Sequence, residues 1–215
     1  MDFTLKTYKQ LLSNLQEAGY RFMTFEDYCT LRPNGYFVIL RHDVDKLPLK
    51  ALEVAKIDCS YGIRSTFFFK RETFVNKQEL IDYIKKCNHE IGYHYNDLVQ
   101  ANGDVSKAID SFTSNINHFR QFYPVRTVCM HGSPASRYDN RDLWKQYNYR
   151  DFGVIGEPYF DVDFEDVFYL TDTGRCWDGD KYSVRDKVKS SFTQSYHSTT
   201  DIIRASKAGT LPPRM

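Results

Sequence analysis

The chain has 215 residues, with 29 Lys and Arg against 28 Asp and Glu, so its formal charge is +1 and no strong field of either sign draws nucleic acid or an anionic membrane. Its 11 Gly and 7 Pro are roughly 8% of the residues against about 12% in average usage, and 41% apolar with 27% charged residues excludes the disordered and low-complexity classes. A chain of this length buries roughly 70% of the surface its unfolded form exposes, and a single domain over residues 1–215 is expected.

Near the start, Leu5, Tyr8, Leu11, Leu12, Leu15 and Ala18 recur at helical spacing and Gly19 follows as a stop. A short second helix is expected over Phe25 to Leu31. The run Tyr36 to Leu40 follows Pro33-Asn34-Gly35, reads as a buried strand, and ends in the polar string Arg41-His42-Asp43-Val44-Asp45. The pattern then alternates. A helix from Leu49 to Tyr61 precedes a strand from Ser65 to Phe69, and a helix from Gln78 to Cys87 precedes a strand around Ile91 to His94. A helix from Val105 to Phe122 leads to a strand from Thr127 to His131. Alternation at this spacing predicts βαβ units and a parallel sheet, doubly wound or closed as a barrel. Further on, Val154-Ile155 and Val167 to Leu170 read as strands, and Thr199 to Ala208 as a helix stopped by Gly209.

No window approaches the roughly 20 apolar residues of a membrane span, and the N-terminus lacks the build of a secretory signal. The expectation is a cytoplasmic protein without membrane insertion. Cys29, Cys59, Cys87, Cys129 and Cys176 are odd in number, scattered and free of CxxC pairs, so they read as reduced thiols.

Parallel α/β sheets bind ligands at the carboxyl ends of their strands, so polar residues there outweigh those elsewhere. Asp43 and Asp45 follow the first strand, His94 the third and His131 the fourth. Residues two apart in an extended segment share a face, and two carboxylates aimed into one pocket call for a cation or a retained proton. The competing reading makes Asp45 a helix-entry cap before Leu47-Pro48-Leu49. His89, at a helix-to-strand junction, reads better as a surface histidine than as a ligand.

These residues resemble the NodB-homology polysaccharide deacetylases, carbohydrate esterase family four. The string Ile39 to Asp45 is similar to that family's first motif, TFDD or a D-x-D variant. Asn88-His89-Glu90-Ile91-Gly92-Tyr93-His94 is similar to the GHEIGNH stretch that leads into its HxxxH metal motif, and Ser65 to Phe69 lies between them like the family's ATFF segment. The resemblance covers about residues 36 to 135 and implies a distorted (β/α) barrel that removes an acetyl group from a sugar by metal-assisted hydrolysis. Carried over, Asp43 is the general base, Asp45 a metal ligand and His94 the first histidine ligand. The implied cofactor is a divalent ion, zinc first, with cobalt, nickel or iron of similar ligand preference. The implied partner is an acetylated sugar or glycan precursor in surface polysaccharide synthesis, with no nucleic acid.

The chain departs from the family pattern in several places. The second metal histidine would fall at Leu98, which cannot ligate, leaving Asp97, Asn96 or His131 as substitutes. Alternatively His131 orients Asp43, because the stretch that usually carries the family's arginine reads His131-Gly132-Ser133-Pro134. Asp172 to Trp177 only echoes the fourth motif, and the chain reaches Met215 where the last barrel strand is expected to begin, so that strand is expected to be missing. Two other readings stay open: a metal-free barrel that binds sugar through some of its 16 Tyr and 16 Phe, and a hydrolase of another C–N amide bond.

Overall fold

Four parallel strands present their inner faces as stacked layers, and the top layer holds the residues singled out above. The computed structural model describes residues 1–75, 77–177, 185 and 187–215. In chain order the elements are α1 (Leu5–Glu17), β1 (Arg21–Met23), α2 (Phe25–Leu31), β2 (Phe37–Ile39), β3 (Arg41–Val44), α3 (Pro48–Ser60), β4 (Thr66–Phe69), α4 (Arg71–Phe74), α5 (Gln78–Lys86), β5 (Glu90–Tyr95), α6 (Asp97–Gln100), α7 (Val105–Arg120), β6 (Val128–Met130), α8 (Pro158–Asp161) and α9 (Thr199–Lys207). Strands β3-β4-β5-β6 form one parallel sheet and β1-β2 another. The sheets curl as a distorted half-barrel with α3, α5 and α7 on its outer face.

Local chemistry sets the ends of these elements. Thr4 and Thr24 close capping boxes with Thr7 and Asp27 at the starts of α1 and α2, and Gly19 stops α1 at φ +87°, where a Cβ is disfavoured. The sequence run ending at Leu40 divides into two strands. Phe37–Ile39 pairs with β1, and the polar string itself continues as β3, pairing with β4 from Arg41↔Thr66 to Val44↔Phe69. The polar residues therefore sit on a strand, where alternation assigns each a face.

That alternation builds the layers. Phe67, Phe69, Ile91, Tyr93, Tyr95, Val128 and Met130 point outward into the apolar core under α5 and α7. Inward, the lowest layer joins Glu90 to the hydroxyls of Thr66 and Thr127. Above it lie Phe68, Gly92 and Cys129, where a Cβ on Gly92 would stand 2.3 Å from the Phe68 ring, so the glycine makes room for the phenylalanine. The top layer is Asp43, His94 and His131.

Several expectations are corrected. Val154-Ile155 and Val167 to Leu170 form no strand: isolated pairings, a bridge between Thr127 and Gly156 and a hydrogen bond from Phe168 N–H to the Arg214 carbonyl, take the place of a ladder. Residues 213–215 form no strand and make one isolated bridge, Phe37 with Arg214. They lie parallel to β2, with Phe37 N–H on the Pro213 carbonyl (2.9 Å) and Met215 N–H on the Phe37 carbonyl (3.0 Å). Cys59 and Cys87 are joined in a disulfide, because α3 and α5 lie side by side and end together, with their Cα atoms 5.7 Å apart. His89 is buried: its Nδ1 accepts from Ser65 N–H (3.2 Å), and its Nε2 faces the Ala55 carbonyl as donor (3.2 Å), so it has no lone pair for a metal.

His42, unassigned in the sequence, points outward from β3 to Asp58 of α3 at 3.0 Å. The fully buried Asp58 also accepts hydrogen bonds from Tyr8 of α1 and Ser65 at the foot of β4 (2.7 Å), so one carboxylate ties four elements together. Burial pushes its pKa up, but His42 and the two hydroxyls outweigh burial, and the net shift is below the ordinary 3.8. A carboxylate depressed in this way stabilises the fold above its unfolded pKa, and the contribution is lost as pH falls through the folded value. Asp58→Asn is therefore expected to cost about 3–5 kcal/mol at pH 7 by denaturant unfolding, with the gap to wild type closing below about pH 4.

Candidate metal centre

β3, β5 and β6 converge at their carboxyl ends, where Asp43, Asp45, His94 and His131 meet. The Asp45 Oδ1 lies 3.5 Å from His94 Nε2 and 3.3 Å from His131 Nε2, while Asp43 Oδ2 is 3.9 Å from His94 Nε2. The imidazoles stand edge to face, 5.2 Å between ring centres. Among the described residues two groups bring ligand atoms within 4.8 Å of one another: Asp45, His94 and His131, and Asp43, His94 and Cys129.

The protonation pattern shows what this arrangement accepts. His94 Nδ1 is 3.0 Å from the Cys129 carbonyl, which only accepts, so Nδ1 carries the proton and Nε2 presents a lone pair. Burial, and after it the neighbouring His94, push the His131 pKa down to about 4 against the pull of Asp45, so this ring is neutral at pH 7. Asp45 Oδ1 is buried and has no hydrogen-bond partner. An orphaned carboxylate oxygen facing two imidazole nitrogens is unfavourable unless a cation stands among them. Bonds of about 2.0–2.1 Å to a tetrahedral ion separate its ligand atoms by about 3.3–3.4 Å, close to the spacing found here. The residues therefore fit a divalent metal with mixed carboxylate and imidazole ligation.

Asp43 stands beside this group with part of its side chain open to solvent, and Arg41, two residues earlier on the same strand face, holds its Oδ2 at 3.2 Å. The guanidinium lies over the ring of Tyr159 at 5.6 Å and that of Tyr169 at 6.0 Å. Buried Glu157 accepts the backbone N–H groups of Met130 (3.0 Å) and Tyr159 (2.6 Å), fastening α8 against β6 so that the Tyr159 ring meets Arg41. Burial raises the Glu157 pKa to about 7 despite these bonds. Sequence reading missed Arg41, although its spacing from Asp43 is the same two residues that paired Asp43 with Asp45. Tyr159 and Tyr169 carry no local signal.

Asp97 does not join the gathered atoms. β5 runs on through Tyr95, so the stretch from His94 to Asp97 is not helical, and Asp97 opens α6 on the outer side of the sheet. There its carboxylate accepts from Tyr93 (2.6 Å), Ser111 (2.6 Å) and Asn115 (2.9 Å). Leu98 is buried in the outer core, and Trp177, the end of the fourth-motif echo, stacks on Phe3 away from the site.

No family model matches the chain, and no curated protein matches it in sequence. Among solved structures, a Streptococcus mutans CE4 esterase superposes with a TM-score of 0.51 at 16% identity, over 88% of this chain and 86% of that one. That likeness establishes the fold as the distorted barrel of that esterase. Streptococcus pyogenes deacetylase PplD in complex with acetate aligns at TM-score 0.46 and 16% identity, over 67% of this chain and 70% of that one. A mutant of the peptidoglycan deacetylase PdaC from Bacillus subtilis aligns at 0.43 and 16%, over 83% and 85%.

Zinc titration with chelator competition separates the two substitutes for Leu98. Replacing His131 with Ala is expected to weaken binding more than about 100-fold, whereas Asp97→Asn leaves affinity within about ten-fold and lowers the unfolding midpoint instead.

Proposed function

We propose that this chain is a metal-dependent deacetylase of the NodB-homology type, which removes an acetyl group from an amino sugar or glycan precursor used in surface polysaccharide. Asp45, His94 and His131 hold the divalent ion in this reading, zinc first and cobalt, nickel or iron with the same ligand preference. The observation that carries it is the buried, partnerless Asp45 Oδ1 between two imidazole nitrogens at 3.3 and 3.5 Å. Bound there, the cation supplies a Lewis acid for the acetyl carbonyl and lowers the pKa of water.

The chain's own residues supply the rest. Asp43 is the base: it takes the proton of the attacking water as the new C–O bond forms, then returns it to the amine nitrogen as the C–N bond to the sugar breaks, releasing acetate, and its solvent-facing side leaves a path for that water. Arg41, held by the two tyrosine rings, fixes the Asp43 carboxylate in one orientation and sets a positive charge beside it. The near-neutral formal charge accords with a sugar in preference to nucleic acid. Among the described residues no helix is long and apolar enough to cross a membrane.

The test is acetate release from a panel of N-acetylated sugars and small cyclic amides, with zinc or cobalt restored after chelation. Release from a sugar that depends on metal supports the proposal, release from the cyclic amides alone moves the substrate class, and zinc that binds without any turnover overturns it. Asp43→Asn keeps the shape and removes the proton acceptor, so turnover is expected to fall about 10² to 10⁴-fold while one metal ion per chain is retained.

A further inference from the structure

His131 is aimed by a series of hydrogen bonds that begins at a backbone amide. Val99 N–H in α6 donates to Asn140 Oδ1 (3.2 Å), which fixes the orientation of that buried side-chain amide. Asn140 Nδ2 then donates to Asn96 Oδ1 (2.9 Å) and to the His131 carbonyl (2.7 Å). The same Asn96 oxygen receives the hydroxyl proton of Ser133 at 2.6 Å. With its proton engaged there, Ser133 Oγ meets His131 Nδ1 at 2.7 Å as an acceptor. Asn96 Oδ1, which only accepts, also lies 3.4 Å from His131 Nδ1, so a proton on Nδ1 satisfies both contacts and turns the Nε2 lone pair to Asp45.

We propose that Asn140, Asn96 and Ser133 are positioning residues that set the His131 tautomer, and so allow a histidine on β6 to serve as ligand where Leu98 cannot. The proposal rests on the metal-site reading above. In this order the Asn140 amide and the Ser133 hydroxyl both donate to Asn96 Oδ1, and the His131 Nδ1 proton meets Ser133 Oγ and the same Asn96 oxygen. The Ser133 backbone adds a second observation. It sits at φ +42°, a conformation that side-chain-bearing residues avoid, although Gly132 stands next to it. A loop shaped only for its backbone would favour glycine at position 133, whereas the strained serine places a hydroxyl under the imidazole.

The hydroxyl and the loop shape are separable. Ser133→Gly suits the positive φ and lacks the hydroxyl, and Ser133→Ala lacks the hydroxyl while keeping the strain. Imidazole nitrogen–proton correlation spectra of the ¹⁵N-labelled, metal-free protein at neutral pH read the tautomer directly. Wild type is expected to show His131 protonated on Nδ1, and both variants a shift toward the Nε2-protonated form together with zinc affinity about 10 to 100-fold weaker. Asn140→Asp, which still accepts from Val99 N–H but no longer donates, is expected to produce the same shift. If Ser133→Gly keeps the wild-type spectrum and affinity, the hydroxyl only shapes the loop and the proposal fails. A wild-type ring protonated on Nε2 overturns it as well. Because the tautomer is read without metal, a wild-type protein that shows the Nδ1 form but binds no zinc overturns the metal reading and leaves the relay standing.

Discussion

Three electron-pair donors confront one another at the top of the half-barrel, and the rest of the site is arranged around that conflict. Asp45 Oδ1, His94 Nε2 and His131 Nε2 stand 3.3 to 3.5 Å apart along the two measured edges. The Cys129 carbonyl places the His94 proton on the far nitrogen, and the proposed order of protons through Ser133 does the same for His131. Burial holds the His131 pKa near 4, so protonation of that ring does not relieve the repulsion at neutral pH. A cation relieves it without disturbing either hydrogen bond. That is why the acceptors behind the rings matter as much as the atoms that face each other.

The strand geometry accounts for how such a group can be built at all. Parallel strands bring β3, β5 and β6 to the same level, and the two-residue repeat sends Arg41, Asp43, His94 and His131 inward while His42, Tyr93 and Tyr95 turn outward. Each polar residue on these strands therefore has one of two fates. Inward ones serve the site or the Glu90 layer beneath it; outward ones serve internal ties such as His42 with Asp58 and Tyr93 with Asp97. The aliphatic and aromatic layer of Phe68 and Cys129 separates the upper polar layer from the lower one. It keeps the buried charge of Glu90, whose pKa burial raises to about 7, out of the site.

Much of this was legible in the sequence, and the failures have identifiable causes. The helices α1, α2, α3, α5, α7 and α9 and the strands β4, β5 and β6 followed from periodicity, and the inward pair Asp43 and Asp45 from alternation, whereas β1, β3 and the single turns α4, α6 and α8 are too short to show a period. What periodicity cannot carry is position relative to a neighbour distant in the chain. Cys59 and Cys87 meet only because two separate helices end at one place. Tyr159 reaches Arg41 from the single turn of α8 and Tyr169 from an irregular segment, and the residues near Val154 and Val167 pair singly where a β-rich composition suggested ladders. The division of one apolar run at Leu40 was invisible for the same reason, since both halves are extended and only their partners differ.

The placement of Asp97 and His131 is the instructive case. Placing Asp97 beside His94 assumed a helical turn between them, but β5 keeps its extended form through Tyr95, and one more extended residue rotates everything after it. Once α6 begins on the outer side, Asp97 and Leu98 are committed to the interface with α7, the one by hydrogen bonds to Ser111 and Asn115, the other by apolar burial. A histidine at position 98 would enter that apolar layer instead of the half-barrel's interior, and would bury a polar ring without a partner. Asn96, the residue at the turn itself, still faces the site, and its Oδ1 meets His131 Nδ1 directly at 3.4 Å and through the Ser133 hydroxyl. A leucine at position 98 and a serine held at positive φ at position 133 are thus two sides of one arrangement: α6 is turned outward to pack on α7, and the strand beside it supplies the imidazole that α6 cannot.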